Sequence, residues 1–167
     1  MHLRIAGLAA AFTLGLAPLG TAGGKAGETG MVTFHLETEA GGNPKMVFPQ
    51  MDNGKQRFFQ RTPEITMKDM VAFSPFPSGT GDAYGLVFQL TDGAKRRLNA
   101  LSTAYQGKFL LAQANGRVVD GVLIDKPVDD GLIVIWKGIT LDEVKLFDKA
   151  LPRLGDKDKK KSKKKTK

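Results

Sequence analysis

Two strand-like runs, KFLLAQA (108–114) and RVVDGVLID (117–125), are separated only by Asn115 and Gly116. A two-residue connection of this type needs positive φ at both positions, which Asn and Gly tolerate, and it makes the flanking strands antiparallel neighbours. The rest of the second half has to be compatible with that hairpin. Upstream, Gly85 to Leu90 reads as a strand, and Thr91 or Asp92 caps a helix with Ala94, Leu98, Leu101 and Tyr105 along one side. Gly107 stops that helix. Downstream, LIVIW (132–136) is an apolar run short enough for a central strand. Thr140 and Glu143 then form a capping box, and Leu141, Val144, Phe147 and Leu151 give a second helix its buried stripe before Pro152 and Gly155 end it. The order strand, helix, strand, strand, strand, helix predicts an α+β fold: a largely antiparallel sheet with two helices packed on one face.

The first half is less regular. VTFHLET (32–38) alternates, with Val32, Phe34 and Leu36 on one face and Thr33, His35 and Glu37 on the other, which predicts a half-buried strand. GGNP (41–44) is a turn, and KMVFP (45–49) is an edge strand ended by Pro49. ITMKDMVAF (65–73) reads as one further strand, although its MKDM centre also suits a helical turn. SPFPSGTGDAYG (74–85), with two Pro and three Gly in twelve positions, reads as a loop.

The termini carry the compositional bias. Arg4, the apolar run Ile5 to Leu16, Pro18 and the small residues Gly20, Thr21 and Ala22 have the three parts of a secretory signal, with cleavage expected after Ala22. Twelve apolar residues are too few to span a bilayer, which takes about 20, and no other long apolar run follows. The domain plan is a signal peptide over 1–22, a flexible Gly-rich leader over 23–30, one α+β domain over 31–155, and a disordered Lys-rich tail over 156–167. That tail holds eight Lys (Lys157, Lys159, Lys160, Lys161, Lys163, Lys164, Lys165 and Lys167) against two Asp, so it carries +6 of the chain's net +8. The folded body is close to neutral, and the charge argues against a specific nucleic-acid face. Attraction of the tail to anionic envelope polymers, nonspecific polyanion binding and simple solubilisation all remain open. The absence of Cys removes thiol catalysis, disulfides and thiolate metal sites.

A family resemblance rests on LTDGAK (90–95), GKFLLA (107–112), NGRVV (115–119), VLI (122–124) and GITLDEV (138–144). In order and spacing these are similar to the head subdomain in the first large periplasmic domain of SecD, the membrane subunit that assists bacterial protein export. The similarity covers residues 84–151. It implies the same α+β fold and a habit of touching unfolded polypeptide, and it implies no chemistry. Asp120 and Gly121 stand where that family has an Ala-Pro step, and Trp136 and Lys137 stand where smaller residues are expected. The sequence has no counterpart of the membrane helices through which SecD is thought to couple proton flow to export, so no transport cycle carries over.

Each candidate site has a plainer competing role. His35 and Glu37 are expected as a surface pair on the polar face of the first strand, and a single His makes neither a zinc site nor a triad. Asp125, Asp129 and Asp130 crowd one loop without the ligand spacing of a calcium site, so a solvated turn is expected and no metal is assigned. GTGDAYG (79–85) precedes a strand instead of a helix, which argues against a phosphate cradle. No cofactor motif and no nucleophile with a base can be read out, so no enzyme is expected. Phe73, Phe76 and Tyr84, held beside Pro75 and Pro77, are the candidate residues for docking a polypeptide or an envelope protein. Packing of those rings back onto the sheet is the competing fate, and Phe58 and Phe59 pose the same choice.

Overall fold

Residues 31–156, apart from 42, 80 and 82, are described by a computed structural model. The predicted signal, leader and tail all lie outside the described residues, except for Asp156. Among the described residues no helix is long and apolar enough to cross a membrane.

Strand β1 (Val32–Thr38) is the organising element of the first half. Its Val32, Phe34 and Leu36 enter the core, as the alternation predicts. It pairs antiparallel with β7 (Phe109–Ala114) on one side and with β3 (Lys55–Gln60) and the two-residue β4 (Ile65–Thr66) on the other. β2 (Val47–Asp52) flanks β3, and β8 (Arg117–Leu123) flanks β7, which gives the order β2-β3-β1-β7-β8. A second sheet has the order β5-β6-β9, formed by Met70–Pro77, Tyr84–Leu90 and Leu132–Ile139. All the strand pairs are antiparallel. The fold class is therefore α+β, with its sheet divided in two.

Helices α1 (Asp92–Ala104) and α2 (Leu141–Ala150) close the core. Thr91 caps α1 by accepting from the Ala94 N–H, and both halves of the Thr140/Glu143 capping box are present on α2. Ala94, Leu98 and Leu101 of α1 and Val144 and Phe147 of α2 share one buried cluster with the inward residues of both sheets. Tyr105 and Leu141 depart from the predicted stripes, being 44% and 49% exposed. Each sits at a helix end, where the stripe has already turned away from the core.

Asn115 and Gly116 adopt φ of 51° and 78°, as the hairpin requires. Asn53 and Gly54 do the same, with φ of 48° and 78°, and join β2 to β3. That second Asn-Gly turn makes residues 55–60 a strand, an element absent from the sequence-based expectation.

Two further readings are corrected. Residues 65–73 are not one strand: Thr66 and Asp69 form a capping box around the 3-10 turn Met67–Asp69, and this separates β4 from β5. Half of the predicted 74–85 loop is strand, because β5 runs to Pro77 and β6 begins at Tyr84. Prolines survive in β5 because of its position. The Phe73 N–H donates to the Pro152 carbonyl and its carbonyl accepts from the Leu154 N–H, so this residue's ladder groups point away from β6. At the strand period of two, Pro75 and Pro77 turn their nitrogens to that same outer side, where no β6 partner is lost. β2 also runs through Pro49 instead of ending there, again as an edge strand.

The two sheets meet at β8 and β9. The Asp120 carboxylate is buried and accepts from the Trp136 N–H at 2.8 Å and from the Gly121 N–H at 3.0 Å. Arg117 donates to the Gly138 carbonyl at 2.9 Å. Side chains thus do at this junction what a backbone ladder does elsewhere.

Candidate docking surface

Register places the residues of the second sheet on two faces. Phe73 pairs with Phe88, and Phe88 with Ile133, and all three are buried in the core. One step along, Ser74 pairs with Val87 and Val87 with Val134; these point to the opposite face, together with Phe76 and Trp136. The two helices pack on the core side. The outward face carries Phe76, Val87, Val134 and Trp136, the last 60% exposed.

Phe76 lies directly opposite Gly85. A Cβ built on Gly85 would sit 2.2 Å from the tip of the Phe76 ring, so only glycine lets that ring lie flat on β6. Phe76 meets Trp136 edge-on, with ring centroids 6.0 Å apart and planes at 72°. This is a favourable aromatic geometry, and it leaves much of the indole exposed. Beside it Pro77, Gly81, Ala83, Tyr84 and Leu141 line a shallow pocket of about 330 Å³.

The three predicted docking residues therefore separate. Phe73 is 0% exposed, packs against Phe88 and Phe147, and carries Arg153 over its ring at 4.7 Å, so it belongs to the core and cannot meet a partner. Phe76 is half-buried on the outward face, whereas Tyr84, also half-buried, packs against the core cluster. Trp136 is the residue that sequence reasoning missed as a surface aromatic. Its neighbours in LIVIW are apolar on both sides, which hides the outward positions of the strand. The eight predicted tail lysines lie outside the described residues.

A groove of about 280 Å³ separates the β2–β3 turn from β8, with Met51, Phe59, Phe109, Leu111 and Val119 among its walls and Asp120 and Lys137 at its rim. Arg57 lies over the Phe109 ring at 4.2 Å and bridges Glu37 and Asp52. The β2–β3 hairpin thus covers part of the outer side of the first sheet, while the outer side of the second has no such cover among the described residues.

That hairpin also corrects the surface reading of His35, which is only 6% exposed. Its Nδ1–H donates to the Gln60 carbonyl at 2.8 Å, leaving Nε2 to accept from the Thr33 hydroxyl at 2.9 Å, and Phe48 packs edge-on against the ring. Burial pushes the imidazole pKa below its ordinary value, outweighing the backbone contacts at Gln60 and Arg61 that favour the proton. The unfolded chain then protonates first as pH falls through about 6.5. Stability from neutral His35 is complete above that pH and is lost below it. The urea midpoint is expected to fall between pH 7.5 and 5.5, with a flatter profile in His35→Gln; parallel profiles would rule out this assignment. Among the described residues no three His, Cys, Asp or Glu side chains are grouped to hold a metal.

No protein-family model matches the chain, and no curated protein matches it. Solved structures do. A SecDF structure, described as that of a membrane component that enhances protein export, is similar over 74% of this chain and 64% of its own length, with a TM-score of 0.51 and 12% identity. A crystal structure of SecDF in a super-membrane-facing form is similar over 73% of this chain and 19% of its own length, with a TM-score of 0.51 and 16% identity. The chain thus spans under two thirds of either structure, and the likeness extends beyond residues 84–151. What it shows is an α+β fold shared with SecDF over about three quarters of this chain.

Proposed function

We propose that this chain is an exported, non-catalytic binding domain that engages extended or partly folded polypeptide through the outward face of the second sheet. The observation that carries the reading is the Phe76–Trp136 pair on a sheet face that neither helix covers. Trp136 is exposed there beside the half-buried Phe76, Val87 and Val134, an apolar arrangement suited to an interaction surface. Strand addition at an edge is the weaker route. Pro49 interrupts the donors of β2, Pro75 and Pro77 interrupt those of β5, and residues 152–154 already lie along the β5 edge. Likeness to a component whose described role is to enhance protein export agrees with a polypeptide partner.

Trp136 is the sole tryptophan of the chain, so its emission reports on this face directly. Titration with an unfolded exported polypeptide is expected to shift that emission to the blue, with a shift that persists in moderate salt. Phe76→Ala is expected to weaken binding about tenfold, the loss typical of an aromatic anchor. A response that vanishes with salt, or with deletion of residues 156–167, would sink the reading. It would favour instead a domain tethered to an anionic envelope surface by its eight tail lysines.

A further inference from the structure

Strand β9 bulges away from β6 partway along its length. Between the pairs Leu86–Ile135 and Tyr84–Ile139, β6 contributes only Gly85, whereas β9 contributes Trp136, Lys137 and Gly138. Such a bulge bends its strand and re-aims side chains, and bulges are frequent beside functional sites. Here Trp136 and Lys137, consecutive in sequence, are both exposed. The Trp136 N–H donates to the Asp120 carboxylate of β8 at 2.8 Å. Gly138 lies so close to β8 that a Cβ there would stand 2.9 Å from the Val119 carbonyl oxygen. The bulge thus leans β9 against the last strand of the first sheet, although no backbone ladder joins the two.

That contact makes two surfaces continuous. Val119, Asp120 and Lys137 also line the groove under the β2–β3 turn, so the groove opens beside the Trp136 backbone. Its walls Phe109 and Leu111 stand on the side of β7 opposite Leu110, Ala112 and Ala114, which enter the main core. Trp136 and the groove therefore share the side of the molecule away from the helices. Met51 lines the groove and is 60% exposed, and its flexible thioether adapts to side chains of varied shape. The ionised groups are balanced: Arg57 bridges Asp52 at 3.0 Å, and Asp120 and Lys137 carry opposite charges. The neighbouring face presents Phe76, Val87, Val134 and Trp136, none of them charged. A charged side chain gains no net attraction from either half, so complementarity selects an uncharged, apolar one.

We infer that the face and the groove form one track, and that its occupant is an extended, uncharged, apolar-rich polypeptide segment. The inference rests on the polypeptide-binding reading and names the class of segment that the site takes. A second copy of the chain has too little area there. Strands of 8, 7 and 8 residues make a face of about 14 by 25 Å, roughly 350 Å², against about 800 Å² per partner in a stable interface. An extended segment suits these dimensions: about three residues cross from β5 to β9, and the next ones reach the groove.

The test uses the full chain with isotope-labelled methionine methyls and the capped peptide acetyl-SLFQSLFQSL-amide, titrated in moderate salt. Trp136 emission reports on the face, and the Met51 methyl resonance reports on the groove. Both are expected to respond with one dissociation constant. Met51→Asp, an exposed change whose urea midpoint is expected to match that of the parent, should weaken the binding seen at Trp136 about tenfold. Exchanging both Gln of the peptide for Glu, or both for Lys, is expected to weaken it as well. A silent Met51 methyl beside a responding Trp136, two different dissociation constants, or undiminished binding in Met51→Asp would overturn the single track and leave the polypeptide-binding reading intact. Tighter binding of the Glu or the Lys peptide would overturn the uncharged class. A Met51 shift that grows with protein concentration before any peptide is added would also overturn the inference, because the occupant would then be a second copy. If neither reporter responds to the peptide, both readings fall.

Discussion

Replacing Phe88 by Ala is expected to cost about 3–5 kcal/mol of folding stability. Phe88 is fully buried on the middle strand of the second sheet, with its ring 6.3 Å from Phe73 and 5.7 Å from Phe147. Phe73 and Phe147 are themselves 5.9 Å apart, so the three rings form a closed triangle joining β5, β6 and α2. The substitution removes about two ring contacts, each worth about 0.5–1.5 kcal/mol beyond area, and leaves a cavity lined by rigid elements. Against a total stability of about 5–15 kcal/mol, that loss is a large fraction. Phe76→Ala, on the other face of the same strand pair, leaves no enclosed cavity and is expected to cost about 1 kcal/mol. Urea unfolding of the two variants checks both figures. Equal losses would mean that the assignment of inner and outer faces is wrong.

Asp120→Ala has the second largest expected effect, about 1–3 kcal/mol. Its two oxygens satisfy the Trp136 and Gly121 N–H groups, and the first of these ties β9 to β8. Alanine leaves both donors without that partner. Asp120→Asn restores one acceptor but sets an NH2 group against the other donor, so it recovers only part of the loss. Amide hydrogen exchange at Trp136 is the local check: exchange should quicken in Asp120→Ala more than at Phe88, on the neighbouring strand. Unchanged protection at Trp136 would mean that the junction between the sheets does not depend on this carboxylate.

Legibility followed the range of the interaction. Both helix caps, the Asn115-Gly116 turn and the alternation of β1 are set by residues within four positions of one another, so a linear reading recovers them. Asn53-Gly54 was equally local and carried the same signal. Pro49 obscures it by suggesting a strand end, whereas an edge strand tolerates proline on its free side. The docking residues were half legible: the composition of 73–85 drew attention to Phe73, Phe76 and Tyr84, but only the register of β5 on β6 separates a core ring from an outward one. His35 became buried through β2 and β3, which reach it from 25 residues away at Gln60.

By itself the sequence determined the α+β class, the places where helices begin and hairpins turn, and the concentration of charge in the last twelve residues, because caps, turns and runs are local events. Tertiary structure alone decided that the sheet divides in two, that Asp120 joins the halves and that Phe76 and Trp136 share an uncovered face. Those features depend on which strands become neighbours. Pairing between distant segments is chosen by the packing of the whole core, not by the residues of either strand alone.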